Sequence, residues 1–463
     1  MNFPVFTYFT DFTLWASHIY DYIFMIFLLT QTLLIGLLKY NHKNSNALYV
    51  IMLVGIILIG KMKNNELVEQ PIMEHNIIIY VVIFTCILLI LYTIIVKEMQ
   101  AKEKSNFELP TLILLALLAM FINIETTDLL VIFIALEIQA FIFYTIINIK
   151  KENLFASEGG LKYFIIGALA SIMVVIGTSF LYEITASTNL LEILEFVPIK
   201  DNTGLFNMGS ILILIGLLSK IGGAPFHLWL PDAYQGAPFY ILIFLAIFPK
   251  IFLIYLLFII NTIINQDMLM VFVAITSGII GAVQAILQMK IKRFLAYTII
   301  YNNAFFVSLL VLSKKSVILL LLETNGLYLL LSFGLMTILY VFKNHFSIVI
   351  NSLRNLLVLK KSNVIVAFSL LLAIFSSAGI PPFLGFFQKY IALYALVENF
   401  QFFLVVFLIC SSIIPAYYYL RIAKIMFLVP KATYALTLPT LGGNVVVFSF
   451  FGLFICLLHL VFI

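Results

Sequence analysis

Apolar runs separated by short polar links make up this chain from end to end. An apolar stretch of about 18 residues or more is long enough to cross a bilayer as a helix. The pattern predicts fourteen such spans, at residues 19–38, 47–60, 76–96, 110–124, 128–149, 159–183, 207–224, 238–260, 268–289, 294–313, 316–342, 363–397, 399–420 and 440–463. The second and fourth are short and the twelfth is long. No link between them is polar enough to form a soluble domain.

The placement of charge tests that count. Links after odd-numbered spans carry 17 Lys and Arg residues, whereas links after even-numbered spans carry 5 and the termini none. Basic residues accumulate on the cytoplasmic side of membrane proteins, so a missed span would scramble this asymmetry. The pattern predicts fourteen crossings with both termini on the outer face. Composition agrees: 63% of the 463 residues are hydrophobic and 10% are charged, against about 25% charged in soluble domains. The formal net charge of +5 is spread along the links, and no nucleic-acid partner is expected. The first 38 residues contain no Lys or Arg, so neither a signal-peptide n-region nor an Arg-rich transit peptide is expected there. Cys86, Cys410 and Cys456 are far apart within apolar runs, and the six histidines are scattered. No metal site and no haem are expected from them.

Four basic residues fall inside spans: Lys162, Lys220, Lys250 and Lys389. A charge at the bilayer centre costs about 2.5–3.5 kcal/mol on insertion scales, so four would cost on the order of 10 kcal/mol. Lys162 lies near the start of its span, where its ammonium could snorkel to the interface. The others have apolar residues on both sides. Two carboxylates accompany them. Glu137 sits mid-span in LLVIFIALEIQAFIFYTI, as a natural partner for Lys162 on the next span. Glu323 lies within SVILLLLETNGLYLLL, where Asn325 or Tyr328 would be its polar contact.

Two spans contain helix breakers beside a lysine. Lys220 precedes Gly222, Gly223 and Pro225 in SKIGGAPF, with His227 just beyond, and Pro381 and Pro382 precede Lys389 in GIPPFLGFFQKY. Non-helical backbone at membrane depth is tolerated only where it is buried in protein or lines a wet cavity. Interruptions at corresponding places in two halves point to inverted repeats around an ion path. Burial disfavours the charged form of a lysine and a nearby carboxylate favours it. Such a group can take up a proton on one side and release it when its partner moves away. Lys220, Lys250 and Lys389 joined by water would form a proton relay. Sodium or sugar binding would instead call for clustered oxygen ligands or aromatic–carboxylate pairs, which the breaks lack.

The segments FIALEIQAFIFY, LKYFIIGALAS, LLSKIGGAPFHLWLPDAYQGAP, IKRFLAYTII and SSAGIPPFLGFFQKY resemble, in order, the signatures of the antiporter-like subunits of respiratory complex I. That resemblance implies an all-α membrane fold of fourteen helices with two inverted five-helix repeats, helices 4–8 and 9–13, each with a broken helix. The implied organisation is N-terminal helices over 1–108, a first repeat over 109–262, a second over 263–432 and a C-terminal helix over 433–463. It also implies a relay of Glu137, Lys162, Lys220, Lys250 and Lys389; His227, Asn302 and Glu323 are possible auxiliaries, of which Glu323 has no counterpart in the family. The family often has a histidine after its LAY motif, and this chain has Asn302 near that position. Lysine at 389 and an end at residue 463 sort the chain with the family type that keeps lysine there and lacks a long lateral helix. NADH, FMN, Fe–S clusters and ubiquinone would then belong to partner subunits, with none bound by this chain. Other complex I membrane subunits, including a subunit 4 type neighbour, and lipids would be its partners. Heavy use of Phe, Ile, Tyr and Lys, with only three arginines, points to an AT-rich organellar gene and so to the mitochondrial inner membrane, with the termini on the intermembrane-space side; a bacterial plasma membrane is the alternative. The rival reading is a subunit of a multisubunit cation/proton antiporter with no redox link.

Overall fold

A computed structural model describes residues 108–150, 152–196, 204–312, 317–346 and 364–428, together with Ser352, Leu353 and Leu356. The predicted spans at 19–38, 47–60, 76–96 and 440–463 lie outside the described residues, as do nearly all of segment 1–108 and all of segment 433–463. Two compact units divide the chain, residues 1–121 and 122–463. Helix α1 (Glu108–Glu125) begins in the first, and every other described element belongs to the second.

That second unit is helical throughout, with no strand among the described residues. Its elements are α2 (Leu129–Ile147), α3 (Leu154–Thr185), the short α4 (Leu190–Phe196), α5 (Gly204–Ile221), the short α6 (Trp229–Gly236) and α7 (Phe239–Ile264). Then come α8 (Asp267–Leu287), α9 (Ile291–Leu310), α10 (Val317–Phe346), α11 (Val364–Ala378), α12 (Leu384–Glu398) and α13 (Phe402–Phe427). Nine predicted spans correspond to single helices. The long twelfth resolves into α11 and α12, separated at Gly379–Phe383. The starts of α2 and α3 are set by side chains: Asp128 accepts the Leu130 N–H at 2.8 Å, and Asn153 accepts the Phe155 N–H at 3.1 Å. Each thereby satisfies one of the donors that a helix start leaves open.

Seven of the described helices (α2, α3, α5, α7, α8, α10 and α13) are long and apolar enough to cross a membrane. The most apolar, α7, is also the innermost: every residue of its best window is buried. It packs against α2, α5, α9 and α10, so it stands between α2–α6 and α8–α13. The outer helices α2, α3, α8 and α13 bury less than half of theirs and expose Ile134, Phe141, Ile172, Phe403 and Ile413. A helix apolar all round belongs in a core or a bilayer. Here α7 is the core of the described helices, and α2, α3, α8 and α13 carry exposed apolar faces.

Candidate functional site

The break after α5 leaves several backbone groups without helical partners, and each of the following is answered. Gly222 takes φ +78°, where a side chain would be strained. Its N–H donates to Ser219 O at 3.0 Å, and the Gly223 N–H donates to Leu218 O at 2.9 Å, the paired closure of a Schellman motif. The indole of Trp229 donates to Ser219 O at 2.9 Å. On α9, the amide of Asn303 donates to Ile221 O at 3.2 Å and to Gly222 O at 3.4 Å. From α8, Ser277 Oγ accepts the Ala224 N–H at 2.9 Å and Thr276 Oγ1 donates to Ala224 O at 2.7 Å. Irregular backbone can persist at membrane depth here because α6, α8 and α9 supply its hydrogen bonds.

The break between α11 and α12 has the same construction. Gly379 takes φ +85°, its N–H donates to Ser376 O at 2.9 Å, and the Ile380 N–H donates to Phe375 O at 3.2 Å. Gly222 and Gly379, Ser219 and Ser376, and Pro225 and Pro382 occupy matching places. The lysines do not match. Lys220 lies in the last turn of α5, before its break, whereas Lys389 lies in α12, after its break, and donates back to Ala378 O at 2.9 Å.

Lys220 Nζ lies 3.5 Å from Glu137 Oε1 and 3.4 Å from Leu136 O. At those distances the pair is in contact but loosely bonded. Lys162 does not meet Glu137 and corrects that expectation: its Nζ lies 2.6 Å from both Glu158 Oε1 and Asp232 Oδ2. The cause is local. Gly159 lets the α6 backbone press on α3, since a Cβ there would sit 2.5 Å from Asp232 O. Asp232 is thereby set beside Lys162, one turn along from Gly159. The second oxygen of Asp232 lies 2.9 Å from Arg293 of α9.

Lys250 lies on α7 at 4% exposure, and its ammonium makes no hydrogen bond among the described residues. It faces two rings instead, 4.8 Å from the centroid of Tyr328 and 5.6 Å from that of Phe306, as a cation–π contact requires. The preceding Pro249 has no N–H to give to the carbonyl one turn earlier. Lys389 is likewise buried and has the Tyr301 ring 5.9 Å away. His227 is buried at the first break, with Tyr297 at 6.3 Å between ring centroids. Asn302 turns to its own helix, donating to Thr298 O at 2.7 Å. With Thr298, Tyr328, Ser332, Ser377, Gln388 and Tyr419 it lines a small cavity between α9, α10, α11, α12 and α13 whose remaining walls are apolar. That cavity joins Tyr328, beneath Lys250, to Gln388, beside Lys389.

Glu323 departs from expectation. It is exposed on α10 while Asn325 and Tyr328 are buried. At 3.6 residues per turn, positions two and five residues on lie well round the helix from Glu323, so no shared polar contact forms. The sequence reading missed two residues. Asp232 was visible only as a carboxylate within LPDAYQG, and Asn303 only as the neighbour of Asn302.

A helical bundle with seven helices long and apolar enough to cross a membrane, and with lysines buried near two broken helices, defines a multi-pass membrane protein. The chain belongs to the family described as NADH:quinone oxidoreductase/Mrp antiporter, transmembrane, which matches residues 126–415. It is 32% identical over 409 residues to NADH-quinone oxidoreductase subunit N of Pelagibacter ubique, covering 85% of this chain and 86% of that protein. It is 33% identical over 341 residues to NADH-ubiquinone oxidoreductase chain 2 of Rhizopus oryzae, covering 70% of this chain and 64% of that protein. Its fold matches a chain of respiratory complex I from Thermus thermophilus with bound aureothin, with TM-score 0.76, 24% identity and coverage of 95% and 98%. A chain of the Mrp complex from Dietzia matches with TM-score 0.76, 18% identity and coverage of 90% and 82%.

Proposed function

We propose that this chain is the proton-translocating antiporter-like subunit of an NADH:quinone oxidoreductase, of the type called subunit N or chain 2. One observation carries the reading: Lys220, in the last turn of a helix broken within the bundle, touches Glu137 on a neighbouring helix. A proton bound by Lys220 is stabilised while Glu137 is near and released when the pair separates. The Gly222 break gives that helix end a place to move. Lys250, over the ring of Tyr328, and Lys389, next to Gln388, are the next carriers, and water in the cavity that Tyr328 and Gln388 line would pass the proton between them. Lys162 enters through Asp232 rather than Glu137. The two similarly built breaks support a pair of inverted repeats, over 109–262 and 263–432.

Electron transfer would occur in partner subunits that hold NADH, FMN, Fe–S clusters and ubiquinone. This chain would contribute a proton path to the enzyme and no redox centre. Its neighbours would be other membrane subunits, including one of the subunit 4 type, and lipids. Residue usage favours the mitochondrial inner membrane, with both termini on the intermembrane-space side. The relatives, mostly bacterial, support a multi-pass membrane placement and no finer one.

The Mrp likeness favours a second reading, a cation/proton antiporter subunit without redox partners. Affinity purification of the tagged chain from its own membranes separates the two. Co-purification of NADH:quinone reductase activity is the expected result. Recovery only of antiporter subunits, with no redox activity, would overturn it.

A further inference from the structure

The two breaks present the same carbonyl to different donors. Ile221 and Ala378 each immediately precede the left-handed glycine of their break. At the second break the donor to Ala378 O is the ammonium of Lys389, at 2.9 Å, and a Cβ on Gly379 would lie 2.9 Å from that Nζ. At the first break the donor to Ile221 O is the amide of Asn303, at 3.2 Å, and the same amide reaches Gly222 O at 3.4 Å. Asn303 is wholly buried, at 0% exposure. Its orientation is fixed, since a flipped amide would set its oxygen against two carbonyl oxygens.

A lysine near a helix C-terminus turns to the last open carbonyls and to the negative end of the helix dipole. Lys389 does this across its break. Lys220 occupies the last turn of α5 yet turns away, to Leu136 O and Glu137 of α2. The two lysines stand on opposite sides of their breaks, and at the first break the end carbonyls of α5 are already taken by Asn303.

We infer that Asn303 is a positioning residue: its neutral amide occupies the carbonyl end of the broken helix and so leaves the Lys220 ammonium free to pair with Glu137. This rests on the relay reading of Lys220 and extends it. The neutral donor matters, because a cation at the same carbonyls would repel Lys220. Asn302 cannot substitute, since its amide is bonded to Thr298 O within its own helix.

The test is a coupling experiment on the assembled complex in sealed vesicles. Redox-driven proton pumping per NADH oxidised is compared with and without Glu137→Gln, first with Asn303 present and then with Asn303→Leu, which keeps the branched shape but removes the donor. With Asn303 present, Glu137→Gln should reduce pumping at least about five-fold, and after Asn303→Leu it should cost less than about two-fold, because coupled residues are non-additive. Asn303→Gln, which keeps an amide, should restore the larger effect. Should Asn303→Leu chains fail to enter the complex, Asn303→Ser takes its place, with a hydroxyl too short to reach the carbonyls. An equal cost of Glu137→Gln in all backgrounds would overturn the role of Asn303 while leaving the relay intact. No cost of Glu137→Gln with Asn303 present would overturn both.

Discussion

Asp232 holds Lys162 at 2.6 Å through one carboxylate oxygen and Arg293 at 2.9 Å through the other. One acidic side chain on the short α6 thus ties α3 to α9. Lys292, next to Arg293, adds to the link by donating to Gln235 O at 3.3 Å and to Ala237 O, at the C-terminal end of α6. The helix segment beyond the first break is therefore pinned at its far end while its near end carries the Gly222 turn.

Asp232→Asn should release Arg293 and leave Lys162 paired with Glu158 alone. Lys162 and Arg293 are each about a third exposed or more, so the expected loss is about 1–2 kcal/mol rather than the larger cost of a deeply buried pair. Thermal unfolding of the detergent-solubilised complex measures it. Asp232→Asn and Lys162→Met should be non-additive, whereas strict additivity would deny the contact.

Lys250→Met should separate stability from function. The ammonium has rings around it and no hydrogen bond, so an apolar replacement of similar shape should leave stability unchanged or raise it by about 1 kcal/mol or more. Pumping should fall sharply in the same preparation. Loss of both together would mark Lys250 as a structural residue.

Gly379→Ala should disturb Lys389 without altering any charge. At φ +85° a side chain is strained by about 1–2 kcal/mol, and the added Cβ would meet Lys389 Nζ at 2.9 Å. A lower unfolding temperature and weaker pumping are expected. Parental values for both would show that the Lys389 side chain does not need this glycine.

Glu323→Gln should leave pumping per electron unchanged, because this carboxylate is exposed on α10 and does not line the cavity. A loss comparable to that of Lys250→Met would bring Glu323 back into the path.

Membrane helices are legible in sequence because hydrocarbon imposes length and composition together. The span predicted at 268–289 appears as Asp267–Leu287, and that at 238–260 as Phe239–Ile264. The breaks at Gly222 and Pro381 were legible for the same reason, since Gly and Pro stand out against an apolar run. Hydropathy gives depth but not helix rotation, and the remaining errors follow from that. Glu137 was assigned to Lys162, the nearest lysine inside a predicted span, but the faces of α2 and α5 bring it to Lys220. Asn302 and Asn303 differ by one residue and about 100°, and only the second faces the break. Glu323 looked internal because its neighbours are apolar, yet its face is exposed. Asp232 could not be read as a partner because the close approach allowed by Gly159 is a property of packing.

The central claim is that the Glu137–Lys220 pair carries protons, and pumping per electron in assembled complexes tests it most directly. Wild type, Lys220→Met and Glu137→Gln should be reconstituted in sealed vesicles at equal yield, with NADH oxidation and proton uptake recorded together. The expected result is a clear fall in protons moved per NADH in both variants. Full stoichiometry in both, with normal assembly and turnover, would contradict it.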